Sequence, residues 1–257
     1  MFGKSDDRVM SLIGHLEELR KRLVISAFAL AGGMIVCFIF KGYLLNLLVQ
    51  PLGDRKLITL TPAESFMTVF KVAAYVGMIL VSPIIIYQIW AFVAPGLKTK
   101  EKRVILFASF FTSILFLCGV VFAWILVLPR ALGFLLGYES DYFNQQVQAS
   151  KYFSFVALFL LGFGLIFELP ALLLTLVRLG VVTPQKLAKN RKYAILAGTI
   201  ISAAITPSQD FFSVLAMAIP FYVLYEASIH LGKLVQRRSR KSQAEVIDSG
   251  PEGEAAG

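Results

Sequence analysis

Five carboxylates of this sequence stand out because each is placed where a cation or a hydrogen-bond donor could meet it: Glu18, Glu101, Glu168, Asp210 and Glu226. A carboxylate is the geometric partner of an arginine guanidinium, which can donate two parallel hydrogen bonds to it. The chemistry indicated by these residues is recognition of positive charge. Whether recognition is possible depends on the elements that carry them.

Glu18 and its neighbour Glu17 lie in the segment Gly14–Leu23, which reads GHLEELRKRL and directly precedes the first long apolar run. Leucines at helical spacing define one face of this segment, and charged residues define the other. The carboxylates either pair with Lys21 and Arg22 four residues on, at ~0.2–0.5 kcal/mol each, or await a positively charged partner from outside. Pairs of that strength are weak enough to be exchanged for a better-placed arginine, which favours recognition.

Each of the other acids also has a local alternative. Glu101 is the only acid in the basic loop Gly96–Arg103, where a salt bridge to a loop lysine would contribute at most ~1 kcal/mol. Glu168 lies inside an apolar run, where an ionisable group faces a cavity or a partner unless it is a protonated or hydrogen-bonded structural carboxyl. Asp210 could cap the helix that follows it, and Glu226 could be an interfacial residue.

The elements that position these residues are membrane spans. The chain has 257 residues, of which 57% are hydrophobic, and a mean hydropathy of +0.73, which is too apolar for a soluble domain. Since about 20 apolar residues cross a ~30 Å hydrocarbon core, we predict an all-α membrane protein with six transmembrane helices. The predicted spans are Val24–Phe40, Val72–Ala94, Val104–Leu128, Phe153–Val177, Ala194–Ile205 and Phe211–Ile229.

Three of these spans are irregular. Pro83 and Pro170 are expected to kink the second and fourth spans without breaking them. The fifth span covers only roughly 18 Å at ~1.5 Å per residue, so it requires a thinned bilayer or a partner helix.

Before the second span, Thr61, Pro62 and Glu64 predict a helix start with an N-cap, a proline at the first position and an acid at the third. The pattern Tyr43–Val49 predicts an amphipathic interfacial helix.

Lysine and arginine counts set the expected orientation. The N-terminal segment, the second and fourth interspan loops and the C-terminal segment together carry 19 of the 25 Lys and Arg residues, which places both termini in the cytoplasm. We expect a cytoplasmic amphipathic segment over 1–23, a transmembrane domain over 24–230 and a basic tail over 231–257. The tail should be disordered after Arg240 because it is polar and poor in aromatic residues.

Several chemistries have no motif here. The sequence contains neither a phosphate-binding G-x-x-x-x-G-K-[ST] motif nor an H-E-x-x-H zinc motif. Cys37 and Cys118 lie in apolar spans without metal-ligand spacing, so we expect no disulfide and no metal. His15 and His230 lie at span edges, as solvated interface residues usually do. We therefore expect no enzyme activity, no cofactor and no nucleic-acid partner.

Three motifs in order resemble the TatC family of the twin-arginine protein translocase. They are HLEELRKRL before the first span, SPIIIYQIWAFVAP followed by LKTKEKR, and FELP followed by a short-helix pair that ends in AIP. The resemblance extends roughly from Ser11 to Leu231. It implies six helices in a concave, glove-like arrangement in the bacterial cytoplasmic membrane, and binding of the twin-arginine signal peptides of folded proteins at the cytoplasmic face.

The resemblance also implies roles for particular residues. The carboxylates that contact the arginine pair match Glu18 and Glu101, with Arg20 in the same group. The intramembrane acid matches Glu168, and the outer polar group near the last two spans matches Thr206, Gln209 and Asp210. TatA and TatB subunits pack near those spans, other copies of the chain join the complex, and the proton-motive force drives transport. The structural residues implied are Pro51, Pro83, Phe92 and Pro170.

One departure and two alternatives stay open. The family often reads T-P-P-D after the fifth span, whereas this chain reads TPSQD over 206–210, so Gln209 is the substitute polar contact. A secondary transporter with Glu168 as proton relay is disfavoured because the chain has no evident internal repeat. If the protein were a purely structural membrane scaffold, substitution of Glu18 or Glu101 would not change its function.

Overall fold

A computed structural model describes residues 12–53, 55–93, 102–138, 146–206 and 210–248. The described residues form eleven α-helices and two two-residue strands, and the chain divides into two compact units, Met1–Gly164 and Leu165–Gly257. The chain is therefore an almost wholly helical protein, as the sequence predicts.

The first unit contains most of the apolar helices. They are α1 (Leu12–Ile39), α2 (Lys41–Val49), α3 (Pro62–Leu80), α4 (Ser82–Val93), α5 (Lys102–Phe122), α6 (Leu128–Gly137) and most of α7 (Ala149–Phe167). A π-helical turn, Ala123–Val127, joins α5 to α6. The strands β1 (Leu57–Ile58) and β2 (Val147–Gln148) pair in parallel, with Leu57 opposite Val147.

The second unit contains α8 (Leu169–Arg178), α9 (Pro184–Lys189), α10 (Arg191–Ile205) and α11 (Phe211–Asp248). Its core is formed by Leu187, Tyr225 and Ile229, on which partly buried residues of α8 pack. The Tyr225 hydroxyl donates a hydrogen bond to the Leu187 carbonyl oxygen at 2.9 Å, which fixes α9 on α11.

Five described helical stretches are long and apolar enough to cross a membrane: Gly14–Ile39, Pro62–Leu80, Leu106–Gly137, Ala149–Arg178 and Phe211–Gln236. They correspond to five of the six predicted spans. The predicted fifth span corresponds to α10, which has 15 residues. The expectation of a short fifth helix is confirmed, since 15 residues extend only about 22 Å.

The predicted bounds of the second span are wrong. The sequence places it at Val72–Ala94 with a kink at Pro83, whereas the membrane-length helix is α3 and ends at Leu80. Pro83 lies in the first turn of α4, where the missing N–H is tolerated. The Ser82 hydroxyl donates to the Ile79 carbonyl oxygen at 2.8 Å and so satisfies an acceptor at the end of α3.

The predicted start of α3 is confirmed. Thr61 occupies the N-cap position with an extended backbone, and Pro62 is the first helical residue. The Glu64 carboxylate accepts hydrogen bonds from the backbone N–H groups of Leu60 at 2.7 Å and Ser150 at 3.2 Å. One acid therefore closes the start of α3 and ties it to the start of α7. A helix is also present over the predicted segment Tyr43–Val49, as α2, and its position at a membrane interface stays a prediction.

The tail departs from expectation. Helix α11 continues to Asp248, so residues 241–248, which the composition predicts to be disordered, are helical. Half of this segment consists of strong helix formers, namely Lys241, Gln243, Ala244 and Glu245, and it extends a helix that is already nucleated.

Helices α1 and α3 pack at unusually short range. A Cβ atom added to Gly77 would lie 2.8 Å from the Met34 backbone nitrogen, and one added to Gly33 would lie 2.9 Å from the Gly77 carbonyl oxygen. Small residues at a membrane helix interface allow such an approach of two backbones. The position of α1, which carries Glu18, is therefore set by this contact with α3.

Candidate functional site

Glu18 and Arg22 form an ion pair one helical turn apart on α1. The Glu18 Oε1 atom accepts from Arg22 Nη2 at 2.5 Å and from Arg22 Nε at 3.1 Å. The third guanidinium nitrogen of Arg22, Nη1, donates to the Gln88 side-chain oxygen on α4 at 3.1 Å. Of the pairs that the sequence predicts on this segment, Glu18–Arg22 is present and Glu17–Lys21 is not, since no ion pair joins those two described residues.

The second oxygen of Glu18 is the distinctive feature of this cluster. The Oε2 atom is buried and has no hydrogen-bond partner among the described residues. The side chains of Glu18 and Arg22 retain only 19% and 23% of their exposure, so water has limited access to the pair. A buried acceptor without a donor is destabilising and is uncommon in folded proteins.

An open cleft of about 720 Å³ adjoins this pair. The described residues that line it are Gly14, Glu17, Glu18, Arg20, Lys21, Arg22, Val24 and Ile25, all on α1. Glu17, Arg20 and Lys21 are exposed, whereas Glu18 and Arg22 are half-buried. The cleft has room for a peptide side chain beside Glu18, and its wall combines charged groups with the apolar start of the first span.

A ring stack joins α4 to α1, and a hydrogen bond joins α4 to α5. The His15 ring stacks on Phe92 with 4.4 Å between centroids and 24° between planes. The Trp90 Nε1 atom donates to Thr112 Oγ1 at 3.0 Å, which joins α4 to α5. The chain from the end of α4 to the start of α5 carries Glu101. That residue lies outside the described residues, so its predicted pairing with Glu18 stays a prediction.

Glu168 lies between α7 and α8, where it is the N-cap residue of α8. The backbone continues through it, because Leu172 N donates to the Glu168 carbonyl oxygen at 3.0 Å. Pro170 falls in the first turn of α8 and is buried. The predicted absence of a break is confirmed here, since Ala149–Arg178 forms one helical stretch. The Oε1 atom of Glu168 is buried and has no partner in the described part of the chain.

The outer polar group surrounds the turn between α10 and α11. Asp210 caps α11, since its Oδ1 atom accepts from Ser213 N at 2.7 Å. Thr206 is 1% exposed, and its hydroxyl donates to the Ser202 carbonyl oxygen at 2.5 Å. The hydroxyls of Ser202 and Ser213 are buried without a partner among the described residues. Gln209 lies outside the described residues.

Glu226 is more than an interfacial residue. It pairs with Arg191 at the start of α10, with Arg191 Nε 3.0 Å from Glu226 Oε2 and a second, shorter bond between Arg191 Nη2 and Glu226 Oε1. His230 Nε2 lies 3.6 Å from Glu226 Oε1. Because Arg191 and Glu226 are 35 residues apart, the sequence gives no local signal for this pair.

The predicted structural residues are placed at turns and contacts. Pro51 lies in a 3-10 turn, Gln50–Leu52, that follows α2. Phe92 forms the stack with His15. Gln88 is a site residue that the sequence reasoning missed, although a lone amide within the apolar run of α4 is a usable signal for a polar contact.

In the described ranges, no group of three His, Cys, Asp or Glu side chains could hold a metal ion. Cys37 and Cys118 are both free thiols.

Comparison with known proteins identifies the family. The family model for Sec-independent protein translocase protein (TatC) matches residues 14–220. The chain belongs to the TatC family. It is 43% identical over 233 residues to the TatC protein of Carboxydothermus hydrogenoformans, covering 90% of this chain and 96% of that one. It is 40% identical over 240 residues to TatC of Aquifex aeolicus, covering 91% and 99%.

A solved structure has the same fold. The crystal structure of a twin-arginine translocase receptor, TatC, superposes with a TM-score of 0.78 at 39% identity and covers 86% of this chain and 99% of that one. This TatC-family chain is accordingly a receptor-type component of Sec-independent protein translocation and not an enzyme. It is a multipass protein of the bacterial cytoplasmic membrane.

Proposed function

We propose that the cluster around Glu18 binds the paired arginines of a twin-arginine signal peptide, with Glu101 as the second carboxylate and Arg20 at the edge of the site. The observation that carries this proposal is the buried Glu18 Oε2 atom, which lacks a donor among the described residues and belongs to a residue that lines an open cleft. An incoming guanidinium would supply that donor. A charge-assisted bond at a site partly shielded from water contributes about 1.5–3 kcal/mol.

The cytoplasmic face is the expected side of this site. The positive-inside count places Glu18 and Glu101 on one side of the membrane. Their surroundings are basic, so a cationic segment that cannot make close contacts would be repelled. Recognition would then depend on hydrogen-bond geometry more than on the bulk field, which suits a signal defined by two adjacent arginines.

We propose a separate role for the polar groups of the second unit. Single-span subunits of the TatA and TatB type would pack near α10 and α11, with Glu168, Thr206, Gln209 and Asp210 as the polar contact group, and other copies of the chain would join the complex. The short α10 supports this proposal, because a helix of about 22 Å leaves a hydrophobic mismatch that a partner helix can relieve. Transport would be driven by the proton-motive force.

Crosslinking of a labelled twin-arginine peptide to the membrane-embedded protein tests the binding role. We expect Glu18→Ala and Glu101→Ala each to lose the crosslink, with a fall in peptide affinity of about 10- to 100-fold from the lost charge-assisted bonds. Glu17→Ala is the matched control, because it removes an exposed neighbouring carboxylate, and it should lower the peptide affinity much less than Glu18→Ala does. Full crosslinking in both the Glu18 and Glu101 variants would refute the role.

The separate roles of the Glu18 site and of Glu168 are tested by a second variant. We expect Glu168→Ala to weaken partner association or deep insertion of the signal while the docking affinity stays close to that of the unmodified chain. A docking loss as large as that of Glu101→Ala would contradict the separation of the two sites.

A further inference from the structure

Arg22 already pairs with Glu18, the carboxylate proposed to bind the arginines of the signal peptide. The proposed binding role of Glu18 does not explain why this second arginine is present. Two of the guanidinium nitrogens of Arg22 bond to Glu18 Oε1, and none reaches Oε2. The third bonds to the Gln88 amide oxygen. The guanidinium is thus held between two helices and occupies one oxygen only.

The charge of Arg22 has a consequence for any incoming cation. A carboxylate that is already paired presents little net negative charge, so a point-charge ligand such as a lysine ammonium gains little attraction from it. Directional hydrogen bonds to the remaining oxygen are less affected, because they depend on the position of the acceptor lone pairs. A planar guanidinium with several donors can use that oxygen and neighbouring acceptors together.

We propose that Arg22, anchored by Gln88, is a specificity-determining residue that allows arginine and not lysine to bind Glu18. This inference rests on the proposed function of Glu18 and adds to it the element that rejects the wrong cation. Arg22 compensates the charge of Glu18 through Oε1, and Gln88 prevents the guanidinium from moving across to Oε2. Specificity here comes from an unfavourable term against lysine as well as from contacts to arginine.

Replacing Arg22 is expected to increase the affinity for one peptide, whereas most substitutions in a binding site decrease affinity. Arg22→Gln removes the compensating charge, so the affinity for a twin-lysine peptide should rise by about fivefold or more, while that for the twin-arginine peptide changes less. Gln88→Leu removes the anchor and should lower the affinity for the twin-arginine peptide, which again reduces the ratio of the two affinities. A merely structural role for either residue would weaken both peptides by the same factor.

The matched control is Lys21→Gln, which removes the same charge from the adjacent, exposed position that pairs with no described carboxylate. It should change the affinities for the twin-arginine and twin-lysine peptides by the same factor, because it alters only the electrostatic field around the site. Thermal unfolding of each detergent-solubilised variant identifies any that does not fold.

The outcomes separate the two proposals when Glu18→Ala is measured in the same series. If Glu18→Ala loses binding and Arg22→Gln leaves the arginine-to-lysine ratio unchanged, the specificity role of Arg22 is overturned and the binding role of Glu18 stands. If Glu18→Ala binds both peptides normally, the proposed function itself is overturned, and the inference with it. If the ratio of twin-arginine affinity to twin-lysine affinity falls in Arg22→Gln and not in Lys21→Gln, the proposal is supported.

Discussion

The close contact between α1 and α3 leads to a prediction whose magnitude follows from the structure. In Gly77→Ala, the new methyl group would lie 2.8 Å from Met34 N and 3.0 Å from both Met34 Cα and the Gly33 carbonyl carbon. All three are backbone atoms, so no side-chain rotation relieves the clash. Ordinary contacts of this kind begin near 3.4 Å. The two helices must therefore separate by about 0.5–1 Å at this point.

That separation has an energetic and a functional cost. Overpacking of this kind typically costs about 1–3 kcal/mol, and we expect the thermal unfolding midpoint to fall by several degrees. Glu18 lies about four turns from Gly33 along α1, so a shift at the contact tilts the helix end. The 3.1 Å bond between Arg22 and Gln88 would lengthen, and the affinity for a twin-arginine peptide should fall as well.

The control is the next glycine along α1. A Cβ atom at Gly32 would have no neighbour within 4 Å, and alanine has a higher helix propensity than glycine. Gly32→Ala should therefore be neutral or slightly stabilising. The measurement is the unfolding midpoint of both variants in the same detergent, followed by peptide affinity. Equal midpoints for Gly77→Ala and Gly32→Ala would refute the reasoning that this contact positions α1.

Three further predictions concern the same two units, each measured by the unfolding midpoint. Tyr152→Phe removes a buried 2.8 Å hydrogen bond to a backbone carbonyl of α2 and should cost about 0.5–1.5 kcal/mol, whereas Tyr43→Phe, at a side chain that is 72% exposed, should cost nothing measurable. Asp210→Ala removes the cap of α11 and should cost about 0.5–2 kcal/mol, and Asp210→Ser should recover part of it. Arg191→Glu places two carboxylates together and should destabilise α10 against α11, and adding Glu226→Arg should restore the midpoint. If the reversed pair is no more stable than the single variant, the ion pair is not what joins those helices.

The features that the sequence predicted well are local ones. The helix start at Thr61 and Pro62, the capping alternative for Asp210 and the unbroken helical stretch through Glu168 all follow from backbone rules that act over about four residues. The shortness of α10 also follows from a local apolar run. The bounds of the second span were missed for a related reason, since hydropathy alone does not show where α3 ends and the adjoining apolar helix α4 begins.

The features that the sequence could not predict join distant parts of the chain. The Arg22–Gln88 bond spans 66 residues and the Arg191–Glu226 pair spans 35. Both contacts depend on which helix faces pack together. The hydrophobic periodicity of a helix shows which of its faces is buried, but it does not show which other helix packs on that face. A motif resemblance supplied Glu18 as a candidate, and local spacing offered its pair with Arg22, but only the packing of α1 on α4 reveals that Gln88 holds the third guanidinium nitrogen of Arg22.

The described carboxylates can be separated by what their surroundings leave unsatisfied. The Oδ1 atom of Asp210 is used by its own helix, and both oxygens of Glu64 accept backbone bonds. Glu18 and Glu168 differ, because each keeps one buried oxygen without a donor in the described part of the chain. Such an atom lowers the stability of the folded state, so packing alone gives no reason to retain it. Retaining it is understandable where a donor arrives from another molecule, and the two residues place that requirement in two different units of the chain.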